Sequence, residues 1–137
     1  MSLICPARQS ELSEFIKMAI DIFCYTKLDV SFLDEKINLI KSNYNNVFDS
    51  SYLMYKANSI LNRQELALLK SKVEQYHKET KLLIAEEFGL GNARSYFMIS
   101  VNDKTFSKCS TSGVADILRK ELGSENIIVL HNGDVLI

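Results

Sequence analysis

The spacing of apolar residues changes about two thirds of the way along the chain, and this change constrains the fold more than any other feature. Before Gly89, apolar residues recur every three or four positions, which is the period of one face of a helix. After Gly91, short runs of β-branched and aromatic residues predominate, as expected for strands. The sequence therefore predicts an α+β fold in one domain, residues 1–137, with a helical region at 9–89 and a ββαββ unit at 94–137.

The helical region is predicted to be an N-terminal bundle of about four helices. Three of them begin at a residue whose side chain can accept a hydrogen bond from a free backbone N–H group, and these residues are Ser10, Ser31 and Asn62. A short third helix is predicted over 51–61. Asn62 and Glu65 have the spacing of a capping box, and they open a fourth helix over 63–88. This last helix is the long one, and Gly89 ends it.

The predicted fourth helix carries a seam of residues spaced like the core positions of a coiled coil. These residues are Leu66, Leu69, Val73, Tyr76, Thr80 and Leu83. The seam can pack against other helices of the same chain, or it can pair with the same helix of a second copy. A homodimer through the 63–88 helix is therefore one of two predicted uses of this surface.

The last third of the chain has the turn and helix signals of a ββαββ unit. Strands are predicted over 95–101, 105–108, 127–130 and 135–137. A helix is predicted between them, starting near Thr111 and ending at Gly123. Asn132-Gly133 is a strong signal for a two-residue hairpin turn between the last two strands.

Three stretches of this last third, 99–106, 111–123 and 127–137, resemble the β-grasp family of small sulfur carriers, the ThiS and MoaD-like proteins. Members of that family show a similar Val-Asn hairpin, a helix that ends in Leu-Gly, and an Asn-Gly-acidic turn. The resemblance implies a β-grasp-like sheet whose surface serves as a docking face. The carriers end in Gly-Gly, whereas this chain ends in Val135-Leu136-Ile137. The resemblance therefore does not imply sulfur-carrier chemistry.

Composition excludes several classes of function. The 16 basic and 17 acidic residues nearly cancel, which argues against a protein that binds nucleic acid through many phosphates. No apolar run approaches the length of a membrane span, and the first residues do not form a signal peptide. The three cysteines form no Cys-x-x-Cys pair, so we expect neither a disulfide framework nor a metal site. A reducing compartment, the cytoplasm, is the expected location.

No catalytic set is predicted. His77 can share one helix face with Glu74 and Lys81, but the pattern supplies no nucleophile and is also that of a solvated helix face. His131 precedes a turn, and Cys109 precedes the last helix, without a base that the sequence can name. Neither a phosphate-binding glycine loop nor a dinucleotide fingerprint is present, so no cofactor is predicted.

The leading hypothesis is a non-enzymatic protein-binding module, either an adaptor, an inhibitor or an immunity-type protein, with another protein as its partner. Tyr52 and Tyr55 lie three residues apart on the predicted third helix, where both can serve as exposed aromatic anchors. Leu136 lies in the last strand, whose free edge can accept a partner strand.

The alternative is an enzyme or binding protein for a small anionic ligand or nucleotide. Hydroxyl groups and free backbone N–H groups at the start of the last helix can hold an anion, and Arg94 can pair with it. The predicted residues of this alternative site are Arg94, Ser110, Thr111, Ser112 and Gly113.

Overall fold

A computed structural model describes residues 20–48, 52–101 and 111–137. Within these ranges the chain forms four helices and six strands. In chain order they are β1 (Ile20–Thr26), α1 (Val30–Asn43), β2 (Tyr52–Met54), β3 (Asn58–Ser59), α2 (Arg63–Ala67), α3 (Lys72–Glu87), β4 (Ser95–Val101), α4 (Thr111–Leu122), β5 (Ile127–His131) and β6 (Val135–Leu136).

The six strands form one antiparallel sheet with β1 in its centre. The strand order is β2-β4-β1-β5-β6, and β3 pairs with β4 on the same side as β2. β1 pairs with β4 over its whole length, from Ile20 opposite Val101 to Thr26 opposite Ser95. Its other edge pairs with β5, where Cys24 lies opposite Val129.

Helices cover both faces of this sheet, and each face has its own core. Because side chains alternate along a strand, the two faces of β1 carry different residues. Ile22 and Cys24 belong to the core that includes the buried side chains of α1 and α4. Tyr25, Leu130 and the partly buried Phe23 belong to a second core, which contains buried residues of α2 and α3. We call this second side of the sheet the α3 face.

The cap of α1 lies two residues earlier than predicted. Asp29, not Ser31, is its cap, since the carboxylate of Asp29 accepts a hydrogen bond from the backbone N–H of Phe32 at 3.0 Å. The carboxylate of Asp34 accepts a bond from the backbone N–H of Ala57 at 2.8 Å, which ties α1 to the segment between β2 and β3. The buried residues of the helix are Leu33, Ile37 and Ile40. Each contributes about 1.5–3 kcal/mol to stability through burial.

The predicted N-terminal helical bundle is wrong, and β1 is the first reason. Ile20 and Phe23 are three positions apart, a spacing that predicts a helix as far as Phe23. The structure places Ile20–Thr26 in the central strand, covered on both faces. A strand buried on both faces is a nearly continuous apolar run, which also satisfies helical spacing. The first part of that predicted helix, including Ser10, lies outside the described residues.

The predicted third helix is also wrong, because this segment forms edge strands. Residues 52–54 are β2, and Asn58–Ser59 is β3. Tyr52 and Met54 are buried while Leu53 is exposed, which is the period of two that a strand requires. The spacing of tyrosines at 52 and 55 fits a helix only if this alternation is ignored.

The predicted long helix is two helices. Asn62 and Glu65 form the expected capping box at the start of α2, but α2 ends at Ala67. Ser71 begins α3, since its hydroxyl accepts a hydrogen bond from the backbone N–H of Glu74 at 3.3 Å. Ser71 was the sequence signal for the break.

The C-terminal third contains the predicted strand β4, helix α4 and the β5–β6 hairpin, but it is not a separate sheet unit. β1 lies between β4 and β5 in the sheet. The predicted β-grasp-like unit after a helical bundle is therefore incorrect, because its strands complete a sheet that an earlier segment organises. The predicted strand at 105–108 lies outside the described residues.

Candidate protein-binding surface

The sequence proposed Tyr52, Tyr55 and Leu136 as partner-binding residues, and the structure separates Tyr52 from the other two. Tyr52 is buried and packs edge-to-face on the ring of Phe48, with ring centroids 6.2 Å apart. Its side chain is therefore part of the core and is not an exposed anchor. Tyr55 and Leu136 are 40% and 53% exposed.

Tyr55 and Leu136 lie on the same face of the sheet, at its two edges. The backbone N–H of Tyr55 donates to the carbonyl of Met98 at 3.0 Å, and Met98 lies opposite Phe23. Phe23 lies opposite Leu130, which in turn lies opposite Leu136. Directly opposed side chains point to the same face. The five residues therefore form one row across the α3 face, which we call the apolar row, about 19 Å between its outer strands at about 4.8 Å per strand.

Lys81 of α3 lies over the middle of the apolar row. Its Nζ atom is 5.1 Å from the ring centroid of Phe23 and 4.8 Å from that of Tyr96. Burial lowers the pKa of Lys81. Neither of the two ion pairs found among the described side chains includes Lys81. The two rings therefore compensate part of the cost of removing this ammonium group from water.

The next row on the same face adds one apolar and one acidic side chain. Leu53 of β2 is exposed and lies opposite Ser100, which lies opposite Asp21. The hydroxyl of Ser100 donates to the Asp21 carboxylate at 3.0 Å. The surface around the apolar row therefore presents a cation from α3 and a carboxylate from β1.

The β5–β6 hairpin holds Leu136 at the edge of this surface. Asn132 and Gly133 have φ angles of 55° and 82°, the left-handed values that a two-residue hairpin turn of this type needs. The Asn132 side chain accepts a hydrogen bond from the backbone N–H of Asp21 at 2.9 Å. After Leu136, the carbonyl of Ile137 accepts a bond from the Arg119 guanidinium at 2.8 Å. Leu136 is thus fixed on both sides.

The predicted coiled-coil seam is divided between core and surface. Leu66 is buried beneath α2, whereas Val73, Tyr76 and Leu83 of α3 are between 47% and 69% exposed. Thr80, between them, donates its hydroxyl to the carbonyl of Tyr76 at 2.9 Å. We call Val73, Tyr76, Thr80 and Leu83 the outer stripe of α3.

Among the described residues of the alternative anion site, Arg94 lies apart from Thr111, Ser112 and Gly113. The backbone N–H of Arg94 donates to the Thr26 carbonyl at 2.7 Å, so Arg94 lies at the Thr26 end of β1. The loop after α4 lies at this same end, since the backbone N–H of Lys27 donates to the carbonyl of Asn126 at 2.9 Å. The 12 residues of α4 span about 18 Å, which places Thr111 toward the opposite end of the sheet. Ser110 lies outside the described residues; Ser112 is exposed and Gly113 is buried.

Arg94 instead lines a cavity of about 430 Å³ between the start of α1 and the start of α2. Asp29 and Glu65 line the same cavity. Two carboxylates against one guanidinium do not favour the binding of a further anion there.

Neither His77 nor the cysteine within the described residues, Cys24, has the surroundings of a reactive group. His77 is exposed, and its ring meets that of Tyr76 edge-on at 6.0 Å. Cys24 is buried, and burial raises the pKa of its thiol. Cys109 lies outside the described residues. Across 20–48, 52–101 and 111–137, no three His, Cys, Asp or Glu residues are grouped as metal ligands. No helix in these ranges is long and apolar enough to cross a membrane.

A family model and a curated relative identify the family, and a solved structure has a similar fold. The model of the CDI System Immunity Component family matches residues 18–135. A curated relative, Immunity protein CdiI-2 of Burkholderia pseudomallei (strain 1026b), is 34% identical over 87 residues, which are 64% of this chain and 68% of the relative. A solved structure, the CdiA-CT/CdiI toxin and immunity complex from Burkholderia pseudomallei, contains a chain with a similar fold. Its TM-score is 0.62 at 24% identity, covering 85% of this chain and 95% of that chain.

The sequence-based prediction of an immunity-type protein-binding module, with a protein as its partner, is thereby confirmed. The apolar row and its exposed ends are therefore surface features of an immunity-type protein-binding module. This chain is a member of the CDI System Immunity Component family.

Proposed function

We propose that this chain neutralises a cognate CdiA-CT toxin by forming a stoichiometric complex with it. The support is the family membership, together with a relative of similar fold whose solved structure is described as a toxin and immunity complex. Inhibition by binding needs a rigid surface and no chemistry of its own. The rigid sheet and its fixed hairpin supply such a surface.

We place the toxin site at the apolar row from Tyr55 to Leu136, and this row is the main observation behind that proposal. Its two ends are exposed, and its centre is held in place by Lys81 and by the core beneath α3. Exposed aromatic and aliphatic anchors on a rigid sheet lose little conformational entropy when they are covered. We assign Tyr55, Leu53 and Leu136 to toxin contacts.

Side-chain contacts, rather than strand addition, are the proposed mode of binding. The edge strands β2 and β6 have three and two residues. A toxin strand added to either edge gains only a few backbone hydrogen bonds, because so few N–H and C=O groups are aligned there.

We propose the cytoplasm as the place of action. The buried free thiol of Cys24 is compatible with a reducing compartment.

We propose self-association as a second property. The exposed outer stripe of α3 supports a homodimer through residues 72–87, and not through 63–88, because α2 and α3 are separate helices.

The test uses the purified chain and the purified cognate CdiA-CT toxin domain. Isothermal titration calorimetry is expected to give a 1:1 complex, and co-expression of the chain is expected to restore growth of cells that produce the toxin. A non-cognate toxin domain serves as the specificity control. Restored growth without a measurable complex would contradict neutralisation by binding.

A further inference from the structure

The outer stripe of α3 faces away from the core and is apolar except for the hydroxyl groups of Tyr76 and Thr80. α3 buries Leu82 and Ala85, and the outer stripe lies on the opposite side of the helix. Thr80 fits an apolar stripe because its hydroxyl is satisfied by the carbonyl of Tyr76, which leaves its methyl group available for packing.

Lys72 and Glu87, at the two ends of α3, lie where the helix dipole disfavours their charges, whereas Glu74 in the first turn is favourably placed. Lys72 is the first residue of the helix, whereas Glu86 and Glu87 are the last two, with no basic residue in the last turn. A helix favours negative charge at its start and positive charge at its end. Arg63 pairs with Glu86 at 2.6 Å. Neither ion pair of the described residues contains Lys72 or Glu87.

Two pairs of α3 residues, one apolar and one charged, are placed symmetrically about the point between Glu79 and Thr80. Tyr76 and Leu83 are equally far from this point along the helix, and so are Lys72 and Glu87. Two copies of α3 packed antiparallel about a two-fold axis at this point place Tyr76 against Leu83 of the second copy. The same axis places Lys72 beside Glu87 of the second copy. Parallel packing would place like charges together.

We propose that a second copy of this chain covers the outer stripe, with the two α3 helices antiparallel and each Lys72 paired with the other copy's Glu87. This develops the self-association proposed above and does not depend on toxin binding. A contact made by one pair of helices is smaller than the roughly 1,200–2,000 Å² buried in most specific interfaces. The dimer is therefore weak, and its population depends on concentration.

Sedimentation velocity over a range of protein concentrations tests the proposal. The unmodified chain is expected to shift from monomer to dimer as concentration rises. Lys72→Glu alone and Glu87→Lys alone are each expected to weaken the dimer roughly tenfold, because each change converts two attractive pairs into two repulsive ones. The double variant restores opposite charges at both pairs, so its dimerisation is expected to return to within about threefold of the unmodified chain.

Two results would overturn the proposal. A chain that stays monomeric at every concentration excludes self-association, and a double variant that remains as weak as the single variants excludes the antiparallel pairing. Tyr76→Asp is a second disrupting variant that leaves both charges in place. Thermal unfolding of every variant checks that these exposed substitutions leave the fold intact. Toxin binding is measured separately, so that a failure of self-association can be distinguished from a failure of toxin neutralisation.

Discussion

Tyr55 and Leu136 stand at opposite ends of a single row of side chains that crosses the sheet from β2 to β6. The row exists only because β1 brings β4 and β5 together in the correct register. Two residues that are distant in the sequence thereby share one surface, and this surface is where we place the toxin contacts.

The double variant Tyr55→Ala and Leu136→Ala is expected to weaken toxin binding by about 2–3 kcal/mol, because it removes both exposed anchors of the apolar row. Calorimetry with the toxin domain measures the change. The matched control is the double variant Phe32→Ala and Leu39→Ala on α1. These two side chains are 45% and 55% exposed, which is similar to the exposure of Tyr55 and Leu136. Equal losses in both double variants would show that the toxin does not select the apolar row.

Thr26→Val is expected to lower the free energy of unfolding by about 1–3 kcal/mol, because it removes a buried hydroxyl that other groups depend on. That hydroxyl accepts a bond from the backbone N–H of Leu28 at 3.1 Å and is 2.6 Å from the hydroxyl of Ser95. Urea unfolding measures the loss. Ser100→Ala, which removes a bond at a part-exposed site, is the control and is expected to cost less. An unchanged midpoint for Thr26→Val would contradict the network.

The thiol of Cys24 is expected to resist modification in the folded protein. It is fully buried, and burial raises its pKa, so almost no thiolate is present near neutral pH. In a variant with Cys5→Ser and Cys109→Ser, Ellman's reagent should react with Cys24 only after urea unfolds the chain. Rapid reaction under native conditions would show that the centre of the sheet opens readily.

Stability is expected to fall between about pH 10 and pH 12. Burial raises the pKa of Tyr25 from 10.0 to about 12, and the neighbouring Tyr96 adds to this rise. Below pH 10 both states keep the proton. Above it the unfolded state loses the proton first, so the free energy of unfolding decreases as pH rises. Urea unfolding at several pH values measures the slope, and Tyr25→Phe should reduce it. The same slope in both proteins would assign the effect to other groups.

Local features of the sequence predicted local structure well. The Asn62–Glu65 capping box forms with both of its hydrogen bonds, and Asn132-Gly133 makes the expected hairpin turn. These motifs succeed because all their partners lie within a few residues of one another. Ser71 carries the same kind of signal, but the residues on both sides of it favour helix. The sequence pattern therefore predicts one continuous helix where the structure has α2 and α3.

Features set by distant contacts were not predictable in the same way. Ile20 and Phe23 satisfy both helical and strand spacing, and only pairing with β4 and β5 decides between them. Tyr52 and Tyr55 look equivalent in sequence, yet one is buried beside Phe48 and the other is exposed. The apolar row could not be read from the sequence, because four of its members come from different strands and Tyr55 follows a fifth, and no local motif encodes the order of these strands in the sheet.

The central place of β1 also governs the order in which the protein can assemble on the ribosome. Cys24 pairs with Phe97 of β4 on one side and with Val129 of β5 on the other, so its pairing is complete only after both strands have been synthesised. Contacts between such distant segments form late, because the intervening chain must first be closed into a loop. A nascent chain that has not yet emerged as far as β5 and β6 therefore lacks the complete surface from Tyr55 to Leu136. Partly made copies that lack β5 and β6 should therefore not bind the toxin at the proposed surface.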